Sequence, residues 1–191
     1  MSDDDLLWQV DDGVATLTLN RPDAANAITP DQRNRVIELM QGAGEDLNVR
    51  VVVITATGRH FCTGADLRVS KIPDHPRPEG APDRTLGDVG RNIERGAQRL
   101  IASVLDCEKP VIAAVNGTAA GIGSHLAIAC DIVLAADTAR FIEVFVRRGI
   151  IPDGGGAYLL PRLVGEVLVG PTPLVGLAET ARVLDHPIKR D

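Results

Sequence analysis

The sequence predicts an α/β fold with a largely parallel sheet. Two observations carry that expectation. Strand-like and helix-like segments alternate along the chain, the pattern that places helices beside a sheet. Residues 50–57 (RVVVITAT) form a continuous run rich in β-branched side chains, which suits a strand covered on both faces.

The elements follow in order. Residues 6–10 and 14–20 alternate in polarity around Asp11, Asp12 and Gly13, so they read as a β-hairpin. Residues 21–27 break the alternation. Thr29-Pro30 then offers an N-cap followed by proline in the first helical turn. Val36, Leu39 and Met40 recur at three- to four-residue spacing, which predicts an amphipathic helix over residues 30–46. The strand over 50–57 leads into a glycine-containing loop at 58–67. Residues 68–90 hold prolines at 73, 76, 78 and 82 among many charges and read as a surface loop. From Thr85 a helix is expected to about Leu105, with Ile93, Ala97, Leu100, Ile101 and Val104 on one face. A buried strand at 111–115, a small-residue turn at 116–123, a short helix at 124–129 and a strand at 132–135 come next. A turn at 149–156 opens a last helix at 157–163. Residues 165–191 carry prolines at 171, 173 and 187 and weak periodicity, with one helix expected over 177–184.

Composition narrows the function classes. The chain has 191 residues, 45% of them hydrophobic and 24% charged, as expected for one soluble domain with a sizeable core. Its net charge is −6 and only 3% of residues are aromatic. Both argue against nucleic acid as a partner, which calls for basic patches and stacking platforms. Cys62, Cys107 and Cys130 are odd in number and form no CxxC pair, the usage of reduced thiols in a cytoplasmic protein. The acidic start has no secretory pattern, and no uncharged span is long enough for a membrane helix. His60, His75, His125 and His186 have no metal-ligand spacing, so no metal is expected.

Familiar phosphate and nucleophile motifs are incomplete. Leu126 stands where a dinucleotide fingerprint would need its third glycine after Gly121 and Gly123, and Ile122 and Leu126 flank Ser124 where a nucleophile elbow needs glycines. What persists is a pair of glycine turns. Phe61-Cys62-Thr63-Gly64-Ala65-Asp66-Leu67 follows the first buried strand, and residues 116–123 (NGTAAGIG) follow the next. Side by side, two such turns can aim free N–H groups at one point, and the second also opens a helix. Such a point would polarise a carbonyl; the plainer reading is that the glycines only permit tight turns.

Five segments occur together in order: residues 16–27 (TLTLNRPDAANA), 61–67 (FCTGADL), 110–117 (PVIAAVNG), 130–132 (CDI) and 149–155 (GIIPDGG). This set resembles the crotonase family, that of the enoyl-CoA hydratases and isomerases, over residues 6–165. The resemblance implies a ββα spiral, assembly as trimers or hexamers, and an acyl-CoA thioester substrate whose coenzyme A is the only cofactor. It implies that the N–H groups of Ala65 and Ile122 form an oxyanion hole. It also implies coenzyme A contacts at Ala24, Ala25, Ala27, Asp66, Leu67 and Arg68. Hydratases of the family use two glutamates, and at those positions this chain has His125, a catalytic candidate, and Phe145, a candidate contact to the substrate. Asp153 sits where isomerase-type members carry a catalytic aspartate, and residues 141–165 look more like that group. The domain expected is residues 1–165, with the family's helical C-terminal region shortened or missing and residues 166–191 a divergent or truncated tail.

Alternatives stay open for each residue. Asp153 is either a proton carrier or the N-cap of the helix that follows. His125 is either a polar pocket residue or a core histidine. Glu143 and Asp131 read as structural, and Arg147-Arg148 as a solvated face or a phosphate attractant. For the whole chain the leading expectation is an acyl-CoA isomerase or hydratase. The rivals are an acyl-CoA-binding protein without turnover and an acyl-CoA hydrolase using His125 or Asp153.

Overall fold

The computed structural model describes residues 3–69, 79–83 and 85–164. The expected tail at 166–191, its helix at 177–184 and most of the proline-rich stretch (70–78) lie outside the described residues.

Strands β1 (Leu6–Asp11) and β2 (Val14–Leu19) form the expected antiparallel hairpin. Asp12 (φ 41°) and Gly13 (φ 78°) make its two-residue turn, whose positive φ values match the twist of the strands. Helix α1 (Pro30–Glu45) starts at a full capping box: Gln32 N–H donates to Thr29 Oγ1, and Thr29 N–H donates to Gln32 Oε1. Its buried face is Val36, Ile37, Leu39, Met40 and Ala43. Strand β3 (Val51–Ala56) pairs parallel with β2, then β5 (Val111–Val115) with β3 and β7 (Ile132–Ala135) with β5. Among the described residues this gives one mixed sheet in the order β1-β2-β3-β5-β7. Asp131 joins β5 to β7 by accepting the Val111 N–H at 2.8 Å, so the structural reading of that residue holds.

Periodicity does not show the second sheet, although two strands per turn accord with the ββα spiral that the resemblance implies. Strands β4 (His60–Cys62), β6 (Thr118–Ala120) and β8 (Arg140–Ile142) pair in parallel in that order. Each successive turn of chain thus lays one strand in each sheet: β3 then β4, β5 then β6, β7 then β8. The first two lie inside the segments read as glycine turns. Three residues are too few for a period-2 signal to register. The expectation of a β3 strand covered on both faces also needs correction. Val52 and Ile54 are fully buried while Val51, Val53 and Thr55 are half-buried, so only one face meets the main core.

Helix α2 (Leu86–Ile93), a π-helical turn (Glu94–Gln98) and α3 (Arg99–Leu105) make the helix expected from Thr85 to Leu105 one continuous helical run. The π turn was not legible. It forms beside Gly96, where a Cβ would lie 2.7 Å from Arg33 Nη1 of α1. Helix α4 (Ile122–Ile128) is buried along its whole length, and α5 (Gly156–Val164) ends the described chain. Leu17, Ile54, Phe61, Leu100 and Leu126 are each wholly buried and meet in one core between the sheets and helices.

Glycines let the two sheet-turn units close on each other. A Cβ on Gly117 would overlap the Arg59 carbonyl, and one on Gly123 would overlap Cys62 O and Sγ. Gly123→Ala should therefore lower stability by about 1–3 kcal/mol through overpacking. Chemical denaturation should show the loss, and an unchanged midpoint would mean that α4 is not pressed against β4.

Candidate active site

A cavity of about 530 Å³ opens between α1, the end of β4, α2 and the start of α4, a volume ordinary for a small-molecule site. Ile28, Thr63, Gly64, Ala65 and Leu67 line one side. Val89, Ile93, Ala97 and Leu100 from the helical run form an apolar wall, and Gly121, Ile122, Phe145 and Asp153 face them. No site residue was expected in the helical run, yet Val89 and Asn92 on its exposed first part reach the cavity.

Ala65 and Ile122 come together here for backbone reasons. A parallel bridge joins Ala65 to Ile28. Ile28 N–H donates to Gly64 O at 2.8 Å, and Asp66 N–H donates to Ile28 O at 2.9 Å. Neighbouring peptide groups in extended chain point to opposite sides, so the Ala65 N–H turns away from that bridge. Ile122 is the first residue of α4, and a helix leaves its first N–H groups without internal acceptors. Among the described residues neither N–H has a hydrogen-bond acceptor. Gly64 (φ 108°) and Gly121 (φ 54°) supply the turns, conformations that side chains disfavour. Gly64 sits so close to the second turn that a Cβ on it would lie 3.2 Å from Ala120 O.

Asp153 also lines the cavity, half-buried. It lies outside α5, and among the described residues its carboxylate has no hydrogen bond or ion pair. The structure therefore does not use it as a helix cap.

His125 is placed differently from the pocket reading. Its side chain is wholly buried and is not among the residues lining the cavity. Its Nε2 lies 3.0 Å from Glu143 Oε2, and its ring stacks on Phe145 at 5.0 Å between centroids and 8° between planes. His125 is thus the layer behind Phe145 and does not reach the cavity surface. Glu143, itself buried, lies behind the cavity wall with His125; the sequence shows it only as one more carboxylate.

The residues expected to touch coenzyme A divide. Leu67 lines the cavity; Ala24, Ala25, Ala27, Asp66 and Arg68 do not. Ala25 O already accepts from Thr63 N–H and Oγ1–H, and Ala27 O from Arg21 Nη1. Ala25 (φ 50°) and Asn26 (φ 53°) hold a left-handed bend. Asn26 pins that bend: its side chain accepts from Arg21 N–H and donates to Thr57 O and His60 O. In the sequence Asn26 is only one residue of the 16–27 segment; its buried amide fixes the loop.

Asp66 is buried between two arginines, with Arg68 Nη2 at 2.8 Å and Arg21 Nη2 at 3.1 Å. The Arg68 hydrogen bond, reinforced by Arg21 against the cost of burial, holds its carboxyl well below the usual carboxylate range. Cys62 and Cys130 go the other way: burial pushes each thiol up to about 12. Both are therefore kept as thiols and are poor nucleophiles. All three cysteines are free. Among the described residues no cluster of His, Cys, Asp or Glu could hold a metal, and no helix is long and apolar enough to cross a membrane.

A carboxylate whose folded pKa is depressed adds stability above its unfolded pKa and loses it as pH falls toward the folded one. Asp66→Asn should thus cost about 1–3 kcal/mol at pH 7, the range for hydrogen bonds to charged groups. The gap to wild type should narrow as pH drops below about 4. Melting curves at several pH values check this; a gap constant down to pH 2 would exclude the ion pairs as its source.

Comparison with known proteins is consistent along most of the chain. The family model described as enoyl-CoA hydratase/isomerase matches residues 9–181. The 1,2-epoxyphenylacetyl-CoA isomerase of Escherichia coli K12 is 38% identical over 172 residues, covering 90% of this chain and 62% of that protein. The trans-2-decenoyl-[acyl-carrier-protein] isomerase of Streptococcus mutans is 33% identical, covering 96% and 67%. A solved structure of a crotonase-type enoyl-CoA hydratase/isomerase from Legionella pneumophila superposes with a TM-score of 0.81 at 32% identity, covering 96% of this chain and 68% of that one. One titled as an enoyl-CoA hydratase from Streptomyces coelicolor gives 0.77 at 34% identity, with coverage of 92% and 60%. The chain spans about three-fifths of the length of the first of these curated relatives. The two-sheet spiral and this match over most of the chain together establish that it belongs to the enoyl-CoA hydratase/isomerase family.

Proposed function

We propose that the cavity takes an unsaturated acyl-CoA thioester and shifts its double bond. The N–H groups of Ala65 and Ile122 hold the thioester oxygen. Asp153 removes a proton from the carbon beside the thioester, leaving an enolate whose negative charge rests on that oxygen. The same carboxyl then returns the proton further along the chain. No net atom is gained or lost, and no cofactor is needed beyond the coenzyme A that the substrate carries.

The observation that carries this reading is the joint presence of two unpartnered main-chain donors and one unpartnered carboxylate around one apolar-walled cavity. Preorganised donors of this kind stabilise a developing oxyanion by about 3–4 kcal/mol each. The resemblance sets His125 and Phe145 where family hydratases hold and activate water; His125 is sealed and Phe145 apolar, which favours proton transfer between carbons over addition of water. Two relatives bearing the name isomerase point the same way.

The full chain should be assayed against 2-enoyl-, 3-enoyl- and dienoyl-CoA thioesters with product mass and free thiol both followed. Asp153→Asn should lower kcat by about 10²–10⁴-fold, the usual contribution of a positioned acid or base, while thioester binding measured by calorimetry is kept. Equal turnover by wild type and variant would remove Asp153 from the mechanism. A product heavier by one water would make the reaction a hydration, thiol release a hydrolysis, and binding without any product a non-catalytic acyl-CoA-binding role.

A further inference from the structure

The buried pair His125–Glu143 is used by nothing described so far. His125 lies on α4 one turn beyond Ile122, and its N–H donates to Gly121 O at 3.1 Å. Glu143 lies just after β8, two residues before Phe145. The two side chains are 0% and 3% exposed. Among the described residues His125 Nδ1 and Glu143 Oε1 have no hydrogen-bond partner. Burying both groups costs several kcal/mol before their attraction is counted, and a phenylalanine–leucine pair would fill such space without that cost.

The third partner of the pair is main chain. A Cβ on Gly156 would overlap His125 Nε2, and a Cβ on Gly154 would lie 3.0 Å from His125 Nδ1. The glycine run that follows Asp153 therefore rests directly on the imidazole. A histidine's χ2 is broad and soft, so stacking on Phe145 alone leaves the ring free to rock. The Glu143 hydrogen bond fixes the ring plane, and the ring sets how near the glycine run comes to α4.

We infer that His125 and Glu143 are positioning residues, a buried dyad that holds Asp153 in register with the Ile122 N–H. The inference rests on the assignment of Asp153 as the proton carrier. The dyad touches no substrate; it ties together the α4 start, the Phe145 wall and the Asp153 loop. A displacement of about 1 Å in a reacting group is enough to cost a hundredfold in rate, so a soft ring would be felt in turnover and not in binding.

Glu143→Leu removes the hydrogen bond and keeps the bulk; Glu143→Gln keeps an oxygen that accepts from Nε2. In full-length protein, Glu143→Leu should lower kcat about ten- to a hundredfold with KM little changed. Hydrogen exchange should rise over residues 150–156 and stay constant in β5. Glu143→Gln should restore both. Should Glu143→Leu not fold, His125→Phe, which keeps the ring and loses the bond, should show the same pattern. A folded Glu143→Leu or His125→Phe with unchanged exchange over 150–156 overturns the inference, as does a Glu143→Gln as impaired as Glu143→Leu. If wild-type protein isomerises no acyl-CoA, the functional reading fails by itself, and the exchange measurement still decides whether the dyad holds the loop.

Discussion

Main chain meets main chain at Gly117 and Gly123 with no space for a side chain between. That close approach is the constraint on which the rest of the molecule depends. Without it β6 could not lie beside β4, and α4 could not press its first turn onto Cys62. Only because the two turns are stacked do Ala65 and Ile122, 57 positions apart in sequence, border one cavity. The five-stranded sheet supplies a rigid floor for this arrangement, and the small parallel sheet carries the turns themselves. A site placed on element ends in this way keeps its geometry better than one built on free loops.

Much of the fold was legible because its longer elements announce themselves by periodicity. The hairpin, α1, β3, β5 and β7 all fall within a residue or two of where spacing puts them. The second sheet was hidden for a physical reason: β4, β6 and β8 have three residues each, and their stability comes from lateral pairing, which leaves no trace along the chain. The π turn was hidden too: its Gly96 packs against Arg33 of another helix, a contact that spacing along the chain does not show.

The site was legible in a similar, uneven way. The glycine turns pointed to two neighbouring loops, and the family resemblance pointed within them to Ala65 and Ile122 and beyond them to Asp153; all three border the cavity. His125 and Phe145 were noticed as replacements, yet only coordinates reveal that one stands behind the other and that Glu143, 18 positions away, completes the layer. The segment at 24–27 is also a folding device: Ala25 O and Ala27 O accept from Thr63 and Arg21, and Asn26 ties the bend to Thr57 and His60. Asp66 and Arg68 bind one another in the same self-contained fashion.

The unpartnered donors at Ala65 and Ile122 belong to the peptide backbone, and this has a consequence for how the molecule would look to genetics. Ordinary side-chain replacement leaves an N–H in place; proline alone deletes it. An alanine scan is silent at position 65 by construction, and at position 122 it would report a change in wall volume while the donor survived. Saturation libraries would therefore score position 122 by what fits the core beside it, and at either position proline alone would report the loss of the N–H. A lineage could likewise remodel the lining of this cavity many times over without removing the two N–H groups at its border.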